Sequence, residues 1–165
     1  IEALAKLEVP FHWTHIGDGE DLYAQKIHQV AKASIADFEN TVTFKGTIPN
    51  AEIKQFLETE EIDLLINTSA SEGIPVSMME ALSVGIPVVG PNIGGILELI
   101  SPDCGILLSE KPDAEEVKNT LEKYFSLSID AKLEMKKMAL KQWENKFNAS
   151  ANYKEFAHLL KGKES

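Results

Sequence analysis

The sharpest chemical signal in the chain is a pair of glutamates with seven residues between them, Glu72 and Glu80, in the run Ser71-Glu72-Gly73-Ile74-Pro75-Val76-Ser77-Met78-Met79-Glu80-Ala81-Leu82. The pattern predicts a helix from Pro75 to Val84, with proline at its first position and Gly85 just past its end. Proline has no N–H, so the amides of Val76 and Ser77 are the free donors of that helix end. Together with the positive end of the helix dipole they make a place for a phosphate. Glu80 lies about one and a half turns further on, and helical side chains tilt back toward the N-terminus. Its carboxylate can accept from a diol beside that phosphate, and Glu72 can do the same from the other side. Phosphate in the middle with hydroxyl-rich rings at both ends is the layout of a nucleotide sugar. An isolated pair of glutamates would read as solvated surface residues, so the surrounding pattern has to decide.

Four loops rich in glycine or small residues follow predicted strands: Gly17-Asp18-Gly19, Lys45-Gly46-Thr47, Ser71-Glu72-Gly73 and Pro91-Asn92-Ile93-Gly94-Gly95. Each alone is ordinary turn chemistry. In a parallel sheet all four would converge on the edge beyond the carboxyl ends of the strands, where ligands bind. His12 and His15 fall on opposite faces of a regular strand, with no partner at metal-ligand spacing. They read as structural, and no metal site is predicted. Cys104 reads as a small buried residue. Met78 and Met79 read as packing residues. Trp143, Phe147 and Tyr153 read as glue between the last helices and the sheet. Glu98 favours a helix start electrostatically and has a weaker claim to a site role.

Strands must position these loops. The pattern predicts strands at Phe11 to Ile16, Thr41 to Phe44, Ile62 to Asn67, Ile86 to Gly90 and Gly105 to Leu108, with helical spacing over 20–37, 50–59, Pro75 to Val84 and from Gly95 to Ile100. This is the βαβ rhythm of an α/β fold, a Rossmann-like parallel sheet with helices on both faces. Three helices in series follow, over 113–125, 130–147 and 150–161, and Lys161 to Ser165 reads as frayed. Residues 1 to 165 form one domain in this reading. Ile1 to Leu7 reads as the middle of an amphipathic helix without a cap, so the chain is expected to be a piece of a larger protein, without a signal peptide and without the strand that feeds this helix.

Composition narrows the classes. The 165 residues include 16 lysines, no arginine and 26 acidic residues, a formal net charge of −10. That acid excess argues against a nucleic-acid groove, which needs a basic face. Apolar residues make up 44% and charged residues 25%, a soluble globular balance. No apolar run approaches the roughly 20 residues that span a bilayer. One cysteine cannot form an internal disulfide, which points to a reducing, cytoplasmic setting.

The stretch from Ser71 to Gly95 resembles the retaining family 4 glycosyltransferases, whose donor-binding domain carries two glutamates at this spacing. Ala81-Leu82-Ser83-Val84-Gly85-Ile86-Pro87-Val88-Val89, then Gly94-Gly95-Ile96-Leu97-Glu98-Leu99-Ile100 and Asp103-Cys104-Gly105-Ile106-Leu107-Leu108, continue the likeness. Upstream, Gly17-Asp18-Gly19 and Val42-Thr43-Phe44-Lys45-Gly46 keep the family order, so the resemblance covers about residues 1 to 160. It implies one half of a GT-B enzyme, the C-terminal donor-binding domain, with the acceptor domain elsewhere in the full-length chain and a closing helix and tail from about 150 to 165.

The resemblance also implies roles. Glu72 contacts the transferred sugar and is the catalytic candidate. Gly73, Ile74, Val76 and Ser77 meet the sugar and phosphates. Glu80 holds the ribose, and Thr47 and Ile48 lie where the base sits. Gly17, Asp18, Gly19, Gly94 and Gly95 line the site. Many members have glycine where this chain has Pro75. The family's diphosphate-binding Arg and Lys come from a segment preceding Ile1. The leaving group is held without an essential metal, and no cofactor is implied, since the nucleoside diphosphate sugar is the substrate. The function implied is transfer of a hexose-type sugar to an acceptor with retention, in surface polysaccharide or glycoconjugate synthesis. The implied setting is cytoplasmic, with room for peripheral association of the intact enzyme at the inner membrane face through its other half. By itself the chain is expected to be inactive. Two other readings stand beside this one. A non-catalytic or redox Rossmann-type module would need a third glycine at Leu22 and an acidic residue after Lys45-Gly46. A sugar-nucleotide epimerase of the same architecture would need acids from outside the chain.

Overall fold

Runs of β-branched and aromatic residues become short parallel strands, each followed by a helix that can carry the chain back across. The computed structural model describes residues 1–17, 22–35 and 40–161. A 3₁₀ turn at Leu4–Lys6 precedes β1 (His12–His15), α1 (Leu22–Ile35), β2 (Thr41–Phe44), α2 (Asn50–Thr59), β3 (Leu65–Ile66), α3 (Val76–Ser83), β4 (Val88–Pro91), α4 (Ile96–Leu99), β5 (Gly105–Leu108), α5 (Ala114–Phe125), α6 (Ile129–Lys146) and α7 (Ala149–Lys161). The chain divides into two units, Ile1–Phe56 with Pro112–Leu127, and Leu57–Lys111 with Ser128–Ser165.

In the first unit β1 and β2 pair in parallel, His12 opposite Thr41 through His15 opposite Phe44. Phe44 anchors a ring cluster, with His28 of α1 stacked on it at 3.9 Å and Trp13 and His15 edge-on at 5.7 and 5.8 Å. His12 Nδ1 bonds instead to the hydroxyl of Thr41, its register partner. Both histidines thus have structural partners. Helix α5 starts at Asp113, whose carboxylate accepts from the Glu116 amide at 2.8 Å, and it buries Val117, Leu121 and Tyr124 at the spacing of one face.

The second unit is built on β4. This strand lies between β3 and β5, parallel to both, and all four of its residues are buried. That is the signature of a parallel strand covered on both faces. Helix α3 buries Met78, Ala81 and Leu82, and α4 buries Ile96 and Leu99. Helix α6 packs on α3, and its Gln142 donates to the carbonyls of Glu98 and Leu99 at 3.3 and 3.2 Å, satisfying the open end of α4. Cys104 is fully buried, as its type suggests.

Several expectations change. The amphipathic start yields only one 3₁₀ turn, because Leu7 is already extended at ψ 135° and the residue before Pro10 is biased away from helix. The strands form a pair and a triplet rather than one ladder. β3 contributes two paired residues instead of six, with the amides of Leu65 and Asn67 donating to Pro87 and Val89 of the next segment at 3.0 and 2.8 Å. Pro75 is the N-cap of α3 rather than its first residue, since its ψ of 120° is extended. Tyr153 does not act as glue: it is 74% exposed, on a helix that also exposes Phe156, Leu159 and Leu160.

Met78 has no exposed surface and fills the space between α3 and β4, whereas Glu80 two residues on is half-buried. Replacing Met78 by alanine is expected to cost about 2–5 kcal/mol of unfolding free energy. Denaturant titration of this variant checks whether α3 is held by its apolar face.

Candidate functional site

The site is assembled at the carboxyl ends of β3 and β4. β3 runs out at Asn67, whose side-chain oxygen accepts the Ser69 amide at 2.7 Å and turns the chain. The other half of that side chain, the Nδ2 group, donates to Glu72 Oε1 at 3.2 Å. Glu72 is therefore held, half-buried, by a residue at the strand tip.

The loop after β4 is laid directly on this segment. The Gly95 amide donates to the Gly73 carbonyl at 2.8 Å. Gly94 has φ +48°, and a Cβ there would stand 2.0 Å from the Glu72 carbonyl oxygen. A Cβ on Gly95 would meet Ile74 Cγ1 at 2.3 Å. These two glycines, expected to line a ligand site, are used for backbone contact with the Glu72–Ile74 segment. Gly73 itself is open, with nothing within 4 Å of a built Cβ.

Pro75 then starts α3. Its carbonyl takes the amides of Met78 and Met79 at 3.2 and 3.3 Å, leaving those of Val76 and Ser77 without partners among the described residues. Moving Pro75 to the cap does not alter this outcome, because the missing N–H is still one that no helix would satisfy. Glu80 sits on the same helix. Its carbonyl accepts the Ser83 hydroxyl at 2.7 Å, but its carboxylate has no partner among the described residues. Burial pushes the Glu80 carboxyl up from its ordinary value. Desolvation causes this shift, with no cation among the described residues offsetting it.

The remaining predicted residues except Glu98 belong to the first unit. Gly17, at φ +107°, and Gly46, at φ +69°, are joined by a bridge in which the Gly17 amide donates to the Gly46 carbonyl at 2.8 Å. This brings together the two loops beyond the carboxyl ends of β1 and β2. Exposed Thr47 and half-buried Ile48 follow directly, ahead of α2. Asp18 and Gly19 lie outside the described residues. Glu98 is exposed on α4. Among the described residues no group of three or more His, Cys, Asp or Glu side chains could hold a metal ion, and no helix is long and apolar enough to cross a membrane. An open cavity also occurs in the second unit, between Leu57–Asp63, Ser83–Ile86, Lys136 and Leu140. It faces the amino ends of β3 and β4, away from Glu72.

Sequence reasoning missed Asn67. Its type is common at strand ends, and only the fold reveals that it faces a carboxylate five positions away.

The chain belongs to the family described as glycosyl transferases group 1, whose model matches residues 1–142. It is 34% identical over 154 residues to the amylovoran biosynthesis glycosyltransferase AmsK of Erwinia amylovora, covering 91% of this chain and 37% of the relative. The Anabaena protein Alr3699/HepE, solved in complex with UDP-glucose, superposes with a TM-score of 0.79 at 23% identity, over 98% of this chain and 43% of that one. A C-terminal domain of the group 1 family protein LpcC from Francisella tularensis gives a TM-score of 0.65 at 19% identity, over 83% and 71%. The chain thus matches the C-terminal domain of the GT-B fold and spans 37% of its curated relative AmsK.

The apposition of the two loops predicts unequal tolerance to alanine. Gly94→Ala is expected to lose about 1–3 kcal/mol, because it combines a left-handed backbone with a backbone clash. Gly73→Ala, into open space, stays within about 0.5 kcal/mol of the parent. Thermal or denaturant unfolding of the two variants side by side tests the packing.

Proposed function

We propose that this chain is the donor-binding half of a glycosyltransferase that moves a hexose-type sugar from a nucleoside diphosphate to an acceptor, with retention at the anomeric carbon. The observation that carries the reading is the α3 start: two unpartnered amides at a helix end, with the tethered carboxylate of Glu72 before them and the unpartnered, partly desolvated carboxylate of Glu80 behind. In this reading Glu72 contacts the transferred sugar, while Gly73, Ile74, Val76 and Ser77 meet the sugar and phosphates. Glu80 takes the ribose hydroxyls, and Thr47 and Ile48 face the base. Gly17, Asp18, Gly19, Gly94 and Gly95 are proposed to line the site. The bond from the anomeric carbon to the diphosphate breaks with its electron pair on the diphosphate. A new bond forms to the acceptor oxygen, whose proton passes to an oxygen of the departing diphosphate. Catalysis comes from stabilising the departing charge and placing the acceptor.

The polysaccharide assignments carried by relatives such as AmsK support a setting in surface polysaccharide synthesis. The acceptor domain is supplied by the rest of a longer chain, consistent with the 37% share of that relative covered here. The exposed Tyr153, Phe156, Leu159 and Leu160 of α7 suit a closing helix that packs on that domain. The reaction is proposed to need no metal and no other cofactor. It is placed in the cytoplasm, at the inner membrane face if the other half binds there. The isolated 165 residues are proposed to turn over no donor, and sugar transfer to an added acceptor by this chain alone would overturn that point.

Calorimetric titration separates the two acids. Glu80→Ala removes hydrogen bonds worth about 1.5–3 kcal/mol, so UDP or GDP and their sugars should all lose about tenfold to a hundredfold in affinity. Glu72→Ala should weaken the nucleotide sugars and leave the plain diphosphates nearly unchanged. Equal losses for sugar and sugar-free ligands in Glu72→Ala sink the assignment.

The Glu80 shift adds a pH signature. Its folded value is raised, so the stability linked to it is fully present below the unfolded value and is lost as pH rises through the folded one. Ribose hydroxyls prefer the ionised form as acceptor, so nucleotide affinity should rise over that same window. Glu80→Gln should flatten both trends. A pH-independent affinity in the parent protein counts against the ribose role.

A further inference from the structure

The tether on Glu72 has a consequence for selectivity between ligands. Asn67 makes three hydrogen bonds with three different groups. Its backbone amide donates to Val89 at 2.8 Å, seating it against β4. Its Oδ1 accepts the Ser69 amide at 2.7 Å, and its Nδ2 donates to Glu72 Oε1 at 3.2 Å. The side-chain orientation follows from the chemistry on both sides. A backbone N–H needs an oxygen opposite it and a carboxylate needs a donor, so both contacts require the same amide orientation. The base of this tether is rigid, because Val89 belongs to a strand buried along its whole length.

We propose that Asn67 is a positioning residue that orients the Glu72 carboxylate toward the donor sugar, so that discrimination between a nucleotide sugar and the bare nucleoside diphosphate depends on its side-chain N–H. This rests on the reading of Glu72 given above. A carboxylate on a loop samples several rotamers, and a site gains from a group already held in one. The Nδ2 bond occupies Oε1 only in part, since each carboxylate oxygen has two acceptor positions, and leaves Oε2 for a sugar hydroxyl.

The test uses Asn67→Asp, which keeps the oxygen that accepts from Ser69 but replaces the donor facing Glu72 with a second carboxylate. Affinities for UDP and UDP-glucose are measured by calorimetry for the parent protein, Asn67→Asp, Glu72→Ala and the double variant, with unfolding midpoints alongside. The expected result is a loss of about tenfold for UDP-glucose in Asn67→Asp, with UDP affinity and midpoint unchanged. The double variant should bind UDP-glucose no more weakly than Glu72→Ala alone, because a positioning residue has nothing left to position. An additional loss in the double variant means that Asn67 touches the sugar itself and overturns the proposal. So does a normal UDP-glucose affinity in Asn67→Asp when Glu72→Ala is impaired, which leaves Asn67 a turn residue only. If Glu72→Ala binds UDP-glucose as the parent does, the functional reading of Glu72 fails and this proposal with it. The first two failures leave that reading standing.

Discussion

The geometry of the second unit depends on how closely two backbones approach each other. The Gly94–Gly95 peptide lies against the Glu72–Ile74 segment with a direct amide-to-carbonyl bond of 2.8 Å between Gly95 and Gly73. A methyl group at position 94 would lie 2.0 Å from a carbonyl oxygen, so no other residue type fits without moving one loop. That contact fixes the entry to α3, because Ile74 and Pro75 follow directly from the clamped segment. The free amides of Val76 and Ser77 are therefore aimed by a contact made before the helix begins. The clamp in turn stands on β4. Its four residues are all buried, and the loop that carries both glycines starts one residue beyond them.

On the proposed reading, the helix end matters because these residues include no arginine to meet the diphosphate. A chain with a net charge of −10 repels an anionic ligand at long range. On the proposed reading, part of the short-range attraction then comes from groups that carry positive potential without carrying formal charge. Unpartnered amides at a helix start are such groups. Pro75 keeps this supply narrow, since it contributes no N–H, and its carbonyl absorbs the amides of Met78 and Met79. Among the described residues two donors remain there, side by side, an arrangement that on the proposed reading suits a small anionic group.

Much of this was legible in the residues. Alternating short apolar runs and helical spacing gave the parallel α/β class, and the buried run Val88-Val89-Gly90 marked the central strand. The Glu72 and Glu80 spacing singled out the start of α3 as the candidate site. What stayed hidden depended on distance in space. Pro75 is equally at home at a cap or at the first helical position, and only its ψ of 120° separates the two. Gly94 and Gly95 read as permissive loop residues, whereas their small size serves another loop some twenty positions upstream, as the 2.8 Å bond between Gly95 and Gly73 records. Tyr153 has the spacing of a core aromatic, yet its helix presents it outward. Periodicity says which residues share a face and cannot say whether anything covers that face.

The two acids differ in the way a two-part ligand would require. Glu72 has a partner before any ligand arrives, so its orientation is settled by the protein. Glu80 has none among the described residues, and burial disfavours its charged form, a cost that an incoming donor would offset. A group that must meet reacting atoms benefits from being held in place, because misplacement costs rate. A group that only has to anchor a remote ring benefits from waiting, because the hydrogen bonds it forms on binding offset a cost already present in the free protein. On the proposed reading the sugar-facing acid is the tethered one and the ribose-facing acid is the waiting one. Exchanging the two roles would put the unrestrained carboxylate at the reacting carbon, and nothing else described in this unit would hold it there.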